Sequence, residues 1–304
     1  MWFVFDGEGA EMFETEVSGK KIGIVNTAEG QVTLIYKTNN VLMFNKNKKE
    51  SPPAQLYPLL KSNLQKQIRR GEKEAITTAS LMLDLDEFEL LRRLSILAAE
   101  DVILSQETSR IVWYMAAVSK RLILCEKDKR FILNYVKSLV EFEKCRRLEI
   151  YDKLGDKLND KLKMSEVLKS NHSEKHKLAG ILFRFYFGGL SGDLPMLSEL
   201  CDDILQGREL DTIVKGEEVI NLPNLKFCDA AIDFHIYPNL LNLIKQDTNI
   251  EENVIKSCIW QCSSRINYRY KEETDLYSIW QKIYPSFLHH TKLYLSKIVK
   301  KYFQ

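Results

Sequence analysis

Two residues that could transfer protons stand close together in the segment CDAAIDFHIYPNLL at 228–241. An extended backbone would place Asp233 and His235 on one face, whereas a helix would turn them apart, because residues i and i+2 do not meet on a helical surface. In either case a carboxylate and an imidazole at a helix boundary can act as acid and base. Asp233 and His235 are therefore the candidate catalytic residues if the chain is an enzyme. The alternative is that His235 is a structural histidine with satisfied hydrogen bonds.

The segment RFYFGGLSGDLPML at 184–197 is a glycine-rich loop that leads into a helix. Asp193 is a favourable N-cap, and the proline two residues later suits the first turn, which explains the loop without any ligand. Backbone N–H groups at such a helix start also suit an anion, and Arg184 on the preceding helix could face the same pocket. The spacing matches neither GxGxxG nor a P-loop. On this reasoning Arg184, Gly189 and Asp193 are candidate ligand-binding residues.

Polar and aromatic residues alternate in WQCSSRINYRYK at 260–271, between two predicted helices. Arginine together with aromatic side chains can hold phosphates and stack bases. We therefore predict ligand or nucleic-acid binding by Ser263, Ser264, Asn267 and Arg269, with a capped turn and exposed arginines as the alternative. If the helices of the C-terminal half bring this segment to the two segments above, the three form one polar cleft.

The sequence contains only weak signals of a metal site. His172 and His176 are four residues apart, as are Cys258 and Cys262, so each pair could share a helical face. No glutamate follows His172 in the order HExxH, and the two cysteines have no second pair at zinc-finger spacing. The sequence predicts no metal and no cofactor.

A helical hairpin is predicted over residues 63–103, and its basic and acidic pairs predict a partly buried ionic network of Arg92, Arg93, Glu100 and Asp101. The hairpin resembles the helical collar domain of clamp-loader-like AAA+ proteins, especially the replication-associated recombination ATPases. The resemblance is carried by Leu64, Ile68, Arg69, Gly71, Ala75, Leu90, Arg92, Arg93, Leu94, Ala98, Ala99, Glu100 and Asp101. It implies a collar that packs helices and mediates oligomerisation without hydrolysing nucleotides.

The ATPase module of that family is missing from this sequence. No GxxxxGK[ST] segment occurs anywhere in the chain. Without the glycine-rich loop and its lysine, backbone N–H groups cannot enclose a triphosphate in the P-loop manner. The sequence therefore argues against a P-loop ATPase.

The elements that must position these residues are mainly helical. Strand patterns occur only near the start, at 2–6, 13–17, 20–26, 31–38 and 41–45, and predict a small antiparallel meander. A polar stretch ending in two prolines breaks the pattern at 45–55. Helical periodicity follows, with helices expected at 108–122, 128–150, 177–205, 228–246, 250–263, 275–283 and 286–302. The predicted fold is mainly α: a small β-rich domain at 1–50, a collar-like helical subdomain at 51–150 and a helical C-terminal subdomain at 151–304.

Composition limits the cellular setting and the partners. The net charge is +2 over 304 residues, so any attraction to nucleic acid must come from local clusters. Six cysteines without paired spacing indicate reduced thiols in an intracellular protein, cytoplasmic or nuclear. The N-terminal residues do not resemble a signal peptide, and no apolar run approaches the ~20 residues of a membrane span. We expect no membrane role.

Three functional hypotheses follow from these observations. The first is a non-ATPase accessory or scaffold protein of DNA or RNA metabolism, which binds nucleic acid or a replication or repair partner and forms oligomers. The second is an enzyme whose helical cleft acts on a phosphoester or nucleotide, with arginines holding the phosphate. The third is a structural or assembly protein.

Overall fold

The computed structural model of the chain describes residues 1–37, 42–44, 53, 55–144, 162–188, 193–207, 209–214, 220–264 and 275–303, with the backbone alone at 193–195 and 275. The architecture is mainly helical with a small N-terminal sheet, which confirms the predicted fold class. The helices are α1 (Leu56–Arg70), α2 (Ala75–Asp101), α3 (Gln106–Ser119), α4 (Glu126–Glu141), α5 (Met164–Lys169), α6 (Lys175–Phe187), α7 (Asp193–Leu205), α8 (Leu240–Thr248), α9 (Glu252–Ile259) and α10 (Asp275–Phe303). A short 3₁₀ helix covers Asp229–Ala231, and a π-helical turn covers Trp260–Ser264.

The chain divides into two compact units, each made of two stretches of sequence. The sheet unit combines residues 1–50 with 83–221, and the helical unit combines 51–82 with 222–304. The boundary within α2 falls after Met82. The predicted domains at 1–50, 51–150 and 151–304 stay a prediction.

The sheet has four strands: β1 (Trp2–Phe5), β2 (Ala10–Phe13), β3 (Lys20–Thr27) and β4 (Gly30–Tyr36). Their order is β2-β1-β4-β3, and β1 pairs with β4 in parallel. The predicted antiparallel meander is therefore wrong in its topology, although β1–β2 and β3–β4 are antiparallel hairpins. A meander pairs each strand with its successor, whereas here the second hairpin crosses over and lies beside β1.

The first hairpin turn explains why one strand was placed wrongly. The Asp6 carboxylate accepts hydrogen bonds from the backbone N–H groups of Glu8 and Gly9 at 3.0 and 2.9 Å. Gly7 has φ 104°, a conformation that glycine tolerates best. The chain therefore reverses at residues 6–9, and β2 ends at Phe13, where the sequence predicted a strand to begin.

An aromatic core joins the sheet to α3 and α6 within the sheet unit. Trp113 on α3 is fully buried and donates its indole N–H to the Phe3 carbonyl at 3.0 Å. The Phe5 ring lies 5.0 Å from the Trp113 ring, and Phe3 lies 5.5 Å from Phe183 on α6. Large aromatic side chains supply most of the apolar area here, so this cluster stabilises the small sheet.

The long helix α2 is interrupted at Asp86. The backbone there is extended, with φ −159° and ψ 94°. The Asp86 side chain accepts a hydrogen bond from the Glu89 N–H at 3.1 Å, the geometry of an N-cap. Aspartate is a preferred N-cap residue, so Asp86 starts the second half of α2.

The helical unit has its own apolar core, formed by α8, α9 and α10. Its buried residues are Leu240, Ile244, Ile255, Cys258, Ile259, Trp280, Ile283 and Phe287. Pro285 lies inside α10, so the two helices predicted at 275–283 and 286–302 are one. The helix predicted at 228–246 is also wrong at its start, because residues 232–239 form turns before α8 begins at Leu240.

Candidate functional site

The helical unit contains a pocket lined by residues from four segments. The space inside it is about 460 Å³, within the range of roughly 300–1,000 Å³ typical of small-molecule sites. Its described lining residues are Arg70, Glu72, Lys226, Phe227, Cys228, Asp229, Cys262, Ser263, Tyr277, Trp280, Gln281 and Tyr284. We call it the aromatic pocket because four of these side chains are aromatic.

One face of α10 supplies the aromatic wall. Tyr277, Trp280, Gln281 and Tyr284 are spaced by three, four and seven residues, which places them on one side of a helix. Trp280 is 7% exposed and Tyr284 is 37% exposed. Their ring centroids are 5.2 Å apart at an interplanar angle of 51°. The wall thus runs from a buried tryptophan to a tyrosine that solvent can reach.

The end of α1 supplies another part of the lining. Gly71 adopts a left-handed conformation with φ 66° and donates to the Ile68 carbonyl, while Glu72 N–H donates to the Gln67 carbonyl at 2.9 Å. This Schellman arrangement ends the helix and turns the chain. Arg70, in the last turn, and Glu72, just beyond it, line the pocket as a result.

Two arginines of α1 tie this side to the π-helical turn. Arg69 donates to the Ser264 carbonyl at 2.8 Å, and Arg70 donates to the Ser263 carbonyl at 2.9 Å. Carbonyls at a helix end carry partial negative charge, so guanidinium groups are favourable partners there. The two serines therefore contribute backbone oxygens to this contact, and Ser263 also lines the pocket.

A buried polar network holds the extended segment that leads into the pocket. Asn63 and Gln67 on α1 donate to the Lys226 carbonyl at 3.0 and 2.8 Å. The Asn63 side-chain oxygen accepts from the Cys228 N–H at 3.0 Å, and Thr78 donates to Gln67 at 2.8 Å. Amide side chains here form the hydrogen bonds that a neighbouring strand would form in a β-sheet, since buried backbone groups need partners. Lys226 and Cys228 are thereby fixed at the pocket wall.

Charges in the aromatic pocket are mixed. Its described cations are Arg70 and Lys226, and its described carboxylates are Glu72 and Asp229. The Tyr284 hydroxyl lies 3.5 Å from Asp229 Oδ2, and burial followed by that carboxylate raises the pKa of Tyr284. The tyrosine therefore stays a neutral donor at physiological pH.

A half-buried and a buried thiol also line the pocket, Cys262 and Cys228. Burial raises the pKa of the Cys228 thiol to about 11. The thiolate is the reactive form of cysteine, so Cys228 is a poor nucleophile at neutral pH.

Asp233 and His235 lie in the turn before α8. Asp233 Oδ2 is 3.3 Å from Lys66 Nζ, and both side chains are 6% exposed. Asp233 Oδ1 accepts from the His235 backbone N–H at 2.9 Å and lies 3.3 Å from His235 Nδ1. The His235 side chain is 64% exposed, and neither residue is among the described lining residues of the pocket. Asp233 acts as a counter-ion and turn-forming acceptor; catalysis by the pair stays a prediction.

Arg184 belongs to the sheet unit, whereas Asp233, His235, Ser263 and Ser264 belong to the helical unit. Its guanidinium is buried and donates to the carbonyls of Arg92 and Gly188, which satisfies the end of α6. A structural role thus accounts for these two contacts. Asp193 begins α7, and its side chain, like Gly189, Asn267 and Arg269, lies outside the described part. The predicted polar cleft therefore stays a prediction.

The four charged residues of the predicted ionic network lie on the second half of α2. Arg93 Nη2 is 3.4 Å from Glu100 Oε2, so the two side chains form an ion pair. Arg92 pairs with Glu89 at 2.8 Å, a partner that the sequence analysis missed. Asp101 is fully buried.

Most of the pocket was not predicted from the sequence. Arg70, Lys226, Trp280 and Tyr284 were missed, although Ser263 was included. The spacing of Tyr277, Trp280 and Tyr284 was a usable signal, but such an aromatic stripe usually marks the buried face of a helix.

No protein-family model matches the chain, and no match was found among curated proteins or solved structures. Over the described residues, no helix combines the length and the apolar character needed to cross a bilayer. The same part of the chain contains no cluster of three or more His, Cys, Asp or Glu side chains arranged to hold a metal ion.

Proposed function

We propose that this chain is a non-ATPase helical accessory or scaffold protein of nucleic-acid metabolism, and that α10 binds the phosphate backbone. The observation that carries the proposal is that, beyond its first residue, this helix has only lysines among its charged side chains. From Leu276 to Phe303 it contains five lysines and no aspartate or glutamate. In a chain with 44 basic and 42 acidic residues, such a segment is the local footprint that binding requires.

The lysines are placed where a nucleic acid could reach them. Lys282, Lys292, Lys297 and Lys300 are all exposed. Lys282 and Lys300 are eighteen residues apart, a whole number of helical turns, and so lie on one side. They are separated by about 27 Å along the axis, the length of roughly eight phosphates on one strand of B-form DNA. We call Lys282, Lys292, Lys297 and Lys300 together the lysine track.

The resemblance of residues 63–103 to a AAA+ collar supports the accessory role. Such collars pack helices and mediate oligomerisation, and a chain without a P-loop could contribute that function without hydrolysing nucleotides. A protein partner or a second copy of the chain is therefore part of the proposal.

The test is fluorescence anisotropy of labelled single-stranded twelve-nucleotide DNA, titrated over salt. The variant is Lys282→Ala/Lys297→Ala/Lys300→Ala. Each phosphate contact on a single strand contributes about 0.7 to the slope of log affinity against log salt. We therefore expect weaker binding and a slope that is about two units shallower.

The matched control removes three exposed lysines elsewhere, as Lys20→Ala/Lys37→Ala/Lys73→Ala, and has the same net charge. It should keep the wild-type slope. Equal loss in both triple variants would mean that net charge alone attracts the DNA. Absence of wild-type binding at low salt would exclude the proposed function.

A further inference from the structure

We propose that the aromatic pocket binds one unstacked base of a single strand, with preference for a base that carries an exocyclic amino group. This inference rests on the proposed function, because the strand would follow the lysine track of α10. Gln281 lines the pocket and the next residue, Lys282, begins the track. A strand whose phosphates lie on the track can therefore place a base at the mouth of the pocket.

The aromatic side chains favour a planar ring. Tyr284 is accessible at 37% exposure and packs on Trp280, and Phe227 also lines the pocket. Bases in single strands gain stability by stacking on such side chains, whatever their sequence. The accessible ring of Tyr284 therefore offers a surface on which an entering base can stack.

The balance of charge selects the base rather than a phosphate. The two described cations of the lining face two described carboxylates, so a di- or triphosphate would gain little net attraction. Arg70 already donates to the Ser263 carbonyl. The pocket thus suits a neutral ring, with the phosphates held outside it by lysines.

The carboxylates further favour amino-bearing bases. Glu72 and Asp229 can only accept hydrogen bonds when ionised, and exocyclic amino groups of cytosine, adenine and guanine donate. Thymine and uracil present carbonyl oxygens at the equivalent position. These oxygens are acceptors, so they cannot form hydrogen bonds with the carboxylates. The preference for cytosine over thymine is the sharpest form of this inference, since both are single-ring pyrimidines.

The experiment compares labelled (dC)12 and (dT)12 with the full chain at one salt concentration. We expect (dC)12 to bind roughly five- to fiftyfold more tightly. Tyr284→Ala should weaken (dC)12 binding by roughly fivefold or more while the salt slope stays at its wild-type value. Tyr302→Ala removes a partly buried tyrosine from the same helix and should leave both affinities unchanged.

A second variant guards against loss of folding. Gln281 is exposed, so Gln281→Ala should keep the fold and still weaken (dC)12 binding, because it removes an amide that lines the pocket. Salt-dependent binding of both oligonucleotides with equal affinity, unaffected by Tyr284→Ala and Gln281→Ala, would overturn the pocket inference and leave the proposed function standing. Failure of the wild-type chain to bind either oligonucleotide would reject both.

Alkylation provides an independent readout. Cys262 is half-buried in the pocket lining. Saturating (dC)12 should slow its reaction with iodoacetamide, whereas exposed Cys125, in the sheet unit, serves as the internal reference. An unchanged rate at Cys262 under saturating (dC)12 would count against occupation of the pocket.

Discussion

The ammonium group of Lys66 lies 3.3 Å from the carboxylate of Asp233, and both side chains are almost inaccessible to water. Burial is the main cause that lowers the pKa of Lys66, and Asp233 opposes that shift. The pair joins α1 to the turn before α8, close in sequence to the residues that line the aromatic pocket. It changes how variants of Asp233 must be interpreted.

The first prediction concerns this buried pair. Lys66→Met should lower the free energy of unfolding by about 3–5 kcal/mol, because it leaves the Asp233 carboxylate buried without its partner. Adding Asp233→Asn should restore much of the loss, since the amide keeps an acceptor for the His235 N–H. Urea denaturation of the two single variants and the double variant measures the coupling. Additive losses would show that the pair is not coupled.

The same pair decides how the enzymatic alternative is tested. Asp233→Ala should destabilise the helical unit, so a loss of activity in that variant would not identify a catalytic carboxylate. His235 is 64% exposed, and His235→Ala should change stability by less than about 0.5 kcal/mol. A turnover defect in His235→Ala with unchanged melting temperature would therefore support catalysis.

The second prediction concerns the pH dependence of a contact between α8 and α10. Asp247 Oδ2 accepts from the Ser286 hydroxyl at 2.6 Å and lies 2.8 Å from His290 Nε2. The hydrogen bond from Ser286, followed by that from His290, lowers the pKa of Asp247. A lowered carboxyl pKa contributes stability above the unfolded value of about 3.9, and this is lost as pH falls through the folded value.

The variant for this test is Asp247→Asn. Its deficit in unfolding free energy should be present at pH 6 and should shrink toward zero as the pH is lowered below 3. Denaturant titrations at both pH values measure it. Asp84→Asn, an exposed aspartate of α2, is the control, and a deficit of Asp247→Asn that grew on acidification would contradict the assignment.

The third prediction concerns the packing of α3 against α6 in the sheet unit. A methyl group added at Gly180 would overlap Ser109 Oγ and come 2.8 Å from the Phe3 ring. Such overpacking of a core costs about 1–3 kcal/mol, more than the roughly 0.5–1 kcal/mol that alanine gains over glycine inside a helix. Gly180→Ala should therefore lower the melting temperature.

A matched glycine controls for the substitution itself. No atom lies within 4 Å of the methyl position at Gly9, and its backbone is not left-handed. Gly9→Ala should be neutral in the same thermal denaturation. A neutral Gly180→Ala would mean that α3 and α6 can separate without cost.

Local signals explain what could be predicted from the sequence. The periodic leucines of α1 and the glycine after Arg70 are local signals of a helix and of its end, because helix propensity and the left-handed cap depend on near neighbours. The N-cap at Asp86 also depends on a near neighbour, because its partner is the N–H of Glu89 three residues later. Pro285 was misleading, since the sequence alone does not show that the surrounding core keeps α10 continuous.

Only tertiary structure decided the pairing of β1 with β4 and the composition of the aromatic pocket. The parallel pairing depends on where the β3–β4 hairpin lies after the crossover. That position is set by packing rather than by the turn residues. The contact of Asp233 with Lys66, 167 positions away in the chain, likewise follows only from the folded structure. The sequence determined the fold class, several of the helices and the absence of a P-loop, because these follow from short spacings. Long-range contacts determined which side chains share a pocket or a charge, because burial depends on the folded neighbours of a residue.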